Sequence, residues 1–148
     1  MSTAELRVER TFDASREAVF EAWTSPEVMR RWFAAEHDWA TPRAEVDLRT
    51  GGRVTVSMSE AGGEPVHTFR GEYLEVTPPE RLVFTVEWQG EDADGVVGTV
   101  TVEFREVGDR TTVVLTHTGL ASEQSRHDHE DGWTNCLDNL EARVFSTT

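Results

Sequence analysis

Two polar side chains lie in strand patterns among apolar residues, where they could act on a bound molecule. His117 follows Val113 and Leu115 at intervals of two residues, so all three point to one face of a strand. His117 could lie near the mouth of a cavity and act as a general acid or base or hydrogen-bond a ligand carbonyl group, although a structural histidine is favoured. Tyr73, the only tyrosine, could offer its hydroxyl group in the same way. The simpler interpretation of both is a core side chain whose polar atoms are hydrogen-bonded.

The run from Arg126 to Asp131 contains two histidines and three acidic residues, which are residue types that bind metals. In a helix, residues two apart point to nearly opposite sides, so His127 and His129 cannot share a metal ion. His127 and Asp131 do share a face, but the spacing supplies no third ligand. We therefore predict no metal site and no cofactor, and we interpret the acidic residues as suited to the start of a helix.

A second polar group precedes a pair of glycines. Asp47 and Arg49 are two residues apart and could orient the polar end of a ligand. Because Val46 and Leu48 alternate with them and are predicted to face the core, a structural ion pair on the outer face is favoured. No nucleophile elbow, phosphate-binding glycine loop or Cys-x-x-Cys motif occurs. Catalysis would therefore rest on pocket shape and on one or two groups such as His117.

The elements that would position these residues begin with a strand. Alternating residues predict that strand over 6–12, and Ser15 and Ser25-Pro26 are typical starts of two short helices. From Arg43 to Thr118 the period is two, interrupted by glycine and proline turns, which predicts about six antiparallel strands. Alternation of apolar and polar residues indicates a sheet with one dry face and one wet face.

One long helical pattern follows, from about Ser122 to Val144. Its apolar residues recur at helical spacing and form one stripe: Trp133, Cys136, Leu137, Leu140 and Val144. The opposite face is polar: Asn135, Asp138, Asn139 and Glu141. Cys136 is the only cysteine, so we expect a buried thiol and no internal disulfide.

Length and charge limit the classes of function. The 148 residues fit a single domain over 1–148. Acidic residues number 28 against 14 basic ones, all arginine, and the net charge of −14 disfavours nucleic acid and anionic membrane surfaces as partners. No segment has the roughly 18 apolar residues of a membrane span, and the first residues lack a secretory pattern. We expect a cytoplasmic protein with no nucleic-acid and no membrane partner.

Strand order and the long helix together predict the architecture. Six or seven twisted strands curl, so a helix across the concave face cannot contact the sheet everywhere. Burying the stripe would contribute about 1.5–3 kcal/mol per large side chain and would still leave room for a cavity. The predicted fold class is α+β: a helix-grip fold whose curved antiparallel sheet of about six or seven strands wraps around a long C-terminal helix, with two short helices after the first strand.

Cavity candidates are the large or polar side chains on the inner faces of these elements. Apolar and aromatic walls with few polar groups are typical of sites for small apolar molecules. The candidates are Trp32, Phe33, Val56, Met58, Tyr73, Phe84, Val86, Trp88, His117, Trp133 and Leu137.

Several short stretches, in order over about residues 5–145, resemble the AHSA-like family, named for activators of the ATPase of the ninety-kilodalton heat-shock chaperone. That family lies in the START-related (SRPBCC) helix-grip superfamily. The stretches are Trp23-x-x-Pro26, Arg31-Trp32-Phe33, Asp47-x-Arg49-x-Gly51-Gly52, Gly71-x-Tyr73-x-Glu75-Val76, Pro79-x-Arg81-Leu82, Thr111 through His117, and Gly132-Trp133-x-x-x-Leu137-x-x-Leu140.

The resemblance implies three classes of function. Superfamily members carry lipids or other small apolar molecules, act as polyketide cyclases or aromatases, or serve as chaperone adaptors. We expect non-enzymatic binding of a small hydrophobic or lipid-like ligand, with a role in stress response among those implied. A cyclase or aromatase using the same cavity is the first alternative. A chaperone-activating module is the least favoured, because the eukaryotic activators pair this domain with a separate chaperone-binding domain.

Overall fold

A computed structural model describes residues 4–145 of the chain. Its elements follow the predicted order of one strand, two short helices, six strands and one long helix. Their bounds are β1 Ala4–Phe12, α1 Arg16–Thr24, α2 Pro26–Trp32, β2 Ala40–Val46, β3 Arg53–Ser59, β4 Val66–Thr77, β5 Arg81–Trp88, β6 Gly98–Val107, β7 Arg110–Leu120 and α3 Glu123–Arg143, with a short 3₁₀ helix at Gly90–Asp92.

The seven strands form one antiparallel sheet in the order β1-β7-β6-β5-β4-β3-β2. Strands β2 to β7 pair with their neighbours in sequence, and β1 pairs with the last strand, β7. Register shifts interrupt the β1–β7, β2–β3 and β4–β5 pairs, and such bulges bend and twist a sheet. The sheet therefore curves around α3, which confirms the predicted α+β helix-grip fold.

The region after β2 departs from the prediction. β2 ends at Val46, so Leu48 lies in a loop, and its side chain is 39% exposed. The prediction that Leu48 faces the core is wrong, because the chain leaves the ladder before this residue. Asp47 and Arg49 do form an ion pair, with 2.9 Å between Oδ2 and Nε, but on an exposed loop instead of a strand face.

Two glycines of the recognised stretches lie where chain segments approach closely. A Cβ on Gly52 would lie 2.1 Å from the carbonyl oxygen of Asp47, and one on Gly71 would lie 1.8 Å from that of Thr85. The carbonyl oxygen of Gly52 also accepts a hydrogen bond from the backbone N–H of Tyr73, at 2.9 Å. Only glycine fits at these positions, and the loop before β3 is thereby held against β4.

The polar face of α3 is less solvated than its sequence pattern predicts. Asn139 is 2% exposed, and its amide donates to the carbonyl oxygen of Ala34 at 3.2 Å. Asn135 donates to the carbonyl oxygen of Ala35 at 2.9 Å. Both amides donate hydrogen bonds to carbonyl groups of the loop that follows α2. The polar residues of this face therefore bind another part of the protein, whereas the sequence pattern indicates a face exposed to solvent. The stripe itself packs as predicted, and the buried Cys136 thiol donates to the Ala34 carbonyl oxygen at 3.1 Å.

Ser122 begins α3 as its N-cap, because its hydroxyl oxygen accepts from the Ser125 backbone N–H at 3.1 Å. We expect Ser122→Ala to lower the free energy of unfolding by about 1 kcal/mol, the usual contribution of such a cap. Urea unfolding would measure it. Ser15→Ala is the matched control, since Ser15 caps α1 in the same way, at 3.2 Å. An unchanged Ser122→Ala protein would show that the first turn of α3 adds nothing to stability.

Candidate functional site

A cavity of about 290 Å³ lies between α3 and the concave face of the sheet. An apolar cavity of about 150 Å³ suffices for benzene, so this one has room for a two-ring aromatic molecule. Its walls are mostly aromatic and apolar, with histidines and carboxylates among them. They are formed by Phe33, Ala35, Trp39, Met58, His67, Phe69, Val86, Trp88, Asp92, Asp94, His117, Asp128, His129, Gly132, Trp133 and Cys136.

The structure separates the sequence candidates into two groups. Six of them line this cavity: Phe33, Met58, Val86, Trp88, His117 and Trp133. The other five are buried in the packed core away from it: Trp32, Val56, Tyr73, Phe84 and Leu137. Trp32 packs edge-on against Trp23 at 4.9 Å, and the rings of Tyr73 and Phe84 meet edge-on at 6.0 Å. Their neighbours therefore fill the space in which a ligand would have to lie.

His117 is held in one tautomer by Trp133. The indole N–H of Trp133 donates to His117 Nδ1 at 3.0 Å, and an indole nitrogen can only donate. The neutral imidazole ring therefore carries its own proton on Nε2. Burial, with a smaller contribution from His129, lowers the pKa of His117 to about 3. His117 is thus a neutral N–H donor in the cavity wall, and Nε2 has no hydrogen-bond partner among residues 4–145.

A second indole–imidazole pair lies beside the first. Trp88 Nε1 donates to His129 Nε2 at 3.0 Å, and His129 Nδ1 donates to the backbone carbonyl oxygen of Ser125 at 2.8 Å. The rings of His117 and His129 meet edge-on, with 5.1 Å between centroids. The two pairs connect β5, β7 and α3 across the cavity wall and fix the orientation of both imidazole rings.

His67 bridges two carboxylates at the rim. Its Nε2 lies 2.7 Å from Glu60 Oε2 and its Nδ1 lies 2.8 Å from Asp92 Oδ2. The ring also stacks on Trp39, with 5.0 Å between centroids and 14° between planes. Partial burial alone would lower the pKa of His67, but the two carboxylates outweigh it, and the pKa is raised above its usual value of 6.5. The imidazolium form joins three chain segments at the rim.

Residues 13–144 match the family model described as "Activator of Hsp90 ATPase homolog 1-like protein". The chain belongs to this family. The family recognised from the sequence motifs is thereby confirmed. No protein of curated function matches the chain.

Solved structures of AHSA1-like proteins share this fold over nearly the whole chain. An AHSA1-like protein from Aeromonas hydrophila has 28% identity and a TM-score of 0.78, covering 98% of this chain and 97% of that chain. The AHSA1 protein from Silicibacter pomeroyi has 26% identity and a TM-score of 0.83, covering 94% and 96%. An HSP90 activator from Plasmodium falciparum has 27% identity and a TM-score of 0.69, covering 93% and 94%.

Seven polar or aromatic residues that line this cavity are absent from the sequence candidates: Trp39, His67, Phe69, Asp92, Asp94, Asp128 and His129. His129 precedes Trp133 by four residues, so it extends the apolar stripe by one turn. His67 precedes Phe69 by two residues and shares its strand face. Both spacings are visible in the sequence, and the metal-binding interpretation of residues 126–131 makes no use of the first. Trp39 lies outside regular structure, where periodicity gives no direction.

Neither a metal site nor a membrane span is found in the described part of the chain. Among residues 4–145, no three histidine, cysteine or acidic side chains are grouped so that they could hold a metal ion. The His127–Asp131 pair, at 3.7 Å, is exposed and has no third ligand. No helix within these residues is long and apolar enough to cross a bilayer.

The raised pKa of His67 predicts a pH dependence. The imidazolium is more stable in the folded than in the unfolded protein, so its contribution is complete below about pH 6.5 and is lost as pH rises through the folded pKa. We therefore expect the free energy of unfolding to decrease above about pH 6.5, measured by urea unfolding. His67→Phe keeps a ring against Trp39 but cannot titrate, so its curve should be flatter there. If the free energy of unfolding varies with pH in the same way in both proteins, the ion pairs of His67 with Glu60 and Asp92 do not contribute to stability.

Proposed function

We propose that this protein binds a small, mainly aromatic molecule, without transforming it, in the cavity between α3 and the sheet. The observation that carries the proposal is a cavity of about 290 Å³ that the core side chains leave unfilled. Aromatic rings surround it. The ring centroid of Phe33 lies 5.6 Å from that of Trp133 and 5.9 Å from that of Phe69, and the centroids of Phe69 and Trp88 are 5.6 Å apart. Such walls suit flat apolar ligands.

The state of His117 favours binding over acid–base catalysis. Its Nδ1 lone pair is occupied by the Trp133 indole, and its low pKa disfavours the imidazolium form. A general base needs a free lone pair and a pKa near the working pH. The remaining Nε2–H, which lies beside Gly98, is a donor only, so a ligand that reaches it would meet it with an acceptor such as a carbonyl, ether or hydroxyl oxygen. A cyclase or aromatase would need another acid or base.

Native mass spectrometry tests the proposal most directly. Purified protein should either carry extra mass that organic extraction removes or, once extracted, bind 2-naphthaleneethanol, a neutral two-ring probe with one hydroxyl acceptor. Bound probe should raise the melting temperature in proportion to its occupancy. An empty spectrum, together with an unchanged melting temperature across naphthalene-sized probes, would overturn the proposal.

A chaperone-linked function is the second candidate, because a solved HSP90 activator shares this fold at 27% identity. The protein would then bind Hsp90 through its own outer surface and increase the rate at which Hsp90 hydrolyses ATP. A coupled ATPase assay with added protein tests this, and an unchanged rate at saturating protein would count against it. The assay does not depend on the cavity, so the two candidates can be decided separately.

A further inference from the structure

The rim of the cavity is rich in uncompensated negative charge. Of the residues that the structure describes, Asp92, Asp94 and Asp128 border it and no arginine does. Asp94 and Asp128 take part in no ion pair within residues 4–145. Each only accepts a neutral hydrogen bond, Asp94 from the Val96 backbone N–H and Asp128 from the Gln124 amide, both at 3.0 Å.

Carboxylates without an ion pair occur elsewhere in residues 4–145 too, and what distinguishes the rim is that it borders a cavity whose described lining residues include no arginine. Elsewhere many carboxylates are paired with arginines, as in the bonds of Arg10 to Asp138 and of Arg126 to Glu123 and Glu130. Among residues 4–145, the one side chain at the rim that can carry positive charge is His67, which faces Glu60 and Asp92. With Asp94 and Asp128 included, four carboxylates face one imidazolium, so the rim is strongly negative.

The interior end of the cavity has the opposite polarity. His117 is 1% exposed, and its Nε2–H has no partner in the described residues; this nitrogen lies beside Gly98, where an added Cβ would be 2.6 Å away. A donor of this kind disfavours a cation deep in the cavity and favours a neutral acceptor there. A ligand that satisfies both ends has an acceptor oxygen at the buried end and positive charge at the rim.

Aromatic side chains at the rim are also suited to a cation. Trp39 already stacks on the His67 ring at 5.0 Å, and the carboxylates of Glu60 and Asp92 favour the imidazolium form of that ring, so a cation on an aromatic face is suited to this place. Trp88 is half-buried, lines the same cavity and meets Phe69 edge-on at 5.6 Å. A ligand ammonium group between these rings and the free carboxylates would gain both kinds of attraction.

We propose that the ligand is an organic cation: a compact aromatic amine whose rings fill the cavity and whose ammonium group lies at the rim beside Asp94 and Asp128. This inference rests on the proposed binding function and specifies the ligand class. The amine binds in its charged form and no covalent step is involved. Solvent partly screens the rim, so each charge pair adds only a modest gain.

A matched series of probes tests the charge with the rings kept constant. The series is 2-(2-naphthyl)ethylamine, 2-naphthaleneethanol and 2-naphthaleneacetate, titrated at pH 7 and low salt. We expect the amine to bind about tenfold more tightly than the alcohol, and the carboxylate to bind most weakly. In the double variant Asp94→Asn/Asp128→Asn the amine and the alcohol should bind equally, since asparagine keeps both local hydrogen bonds.

Asp109→Asn is the control for overall charge, because Asp109 lies in the β6–β7 turn, at the far end of these strands from His117 and Gly98. It should leave the preference for the amine unchanged. Equal affinity of the amine and the alcohol in the unchanged protein, or an equal loss of preference in Asp109→Asn, would overturn the cation inference while leaving the binding function intact. Failure of all three probes to bind would overturn the binding function itself.

Discussion

Acid is expected to destabilise the protein by about 2–3 kcal/mol between pH 6.5 and about pH 4.5 through His117 alone. The side chain is 1% exposed, and burial, aided by His129, lowers its pKa to about 3. The folded protein therefore keeps the ring neutral over this range, while the unfolded chain takes up a proton near pH 6.5. Because the unfolded state binds more protons, unfolding becomes more favourable by up to about 1.4 kcal/mol per pH unit.

His117→Asn is the variant that isolates this effect. The asparagine Oδ1 can take the place of Nδ1 as acceptor for the Trp133 indole, and the amide does not titrate. Carboxylates elsewhere titrate equally in both proteins, so the difference between their urea-unfolding curves reports on His117. We expect the variant to be less stable at pH 7.5 and to lose less stability in acid. If the two curves stay parallel down to pH 4.5, the ring is solvated and is not the buried donor described above.

Most of the fold is readable from the sequence because its signals are local and repeated. The two-residue period from β2 to β7 and the turns at Pro78–Pro79 and Gly108–Asp109 predict the strands closely. Leu48 shows the limit. It continues the alternation of β2, yet the close approach of Gly52 to the Asp47 carbonyl takes the chain out of the ladder. Such a contact between backbones leaves no trace in a hydrophobic pattern.

The site is less predictable, because a cavity is a property of packing in three dimensions. Tyr73 and Phe33 are both aromatic, buried and recognisable in motifs, but only Phe33 borders empty space. Sequence periodicity places a side chain on the inner face of an element and does not indicate whether its neighbours fill the volume in front of it. His129 is different, since its four-residue spacing to Trp133 puts it on the same helix face and is visible in the sequence, although the predicted stripe begins only at Trp133.

Filling the cavity from α3 is expected to abolish binding without loss of stability. Gly132 lies in the middle of α3 and lines the cavity, and a Cβ at this position would meet only the Ala35 Cβ, at an ordinary 3.5 Å. The phenyl ring of Gly132→Phe would occupy the space that the rings of a ligand need. We expect the affinity for 2-naphthaleneethanol to fall at least about a hundredfold, or roughly 2.7 kcal/mol, in a calorimetric titration.

Gly132→Ala is the matched control, because its methyl group takes little of the cavity volume. Gly132→Ala replaces a glycine in a helix interior and should raise the free energy of unfolding by about 0.5–1 kcal/mol, and Gly132→Phe should raise it by less, because phenylalanine has a lower helix propensity than alanine. The alanine protein should bind the probe nearly as well as the unchanged protein, and the phenylalanine protein should not. A probe that binds Gly132→Phe at full affinity must bind elsewhere on the protein. Gly132 makes α3 less stable than an alanine would, but it leaves space beside Trp133. This combination fits a cavity that is kept open for a ligand.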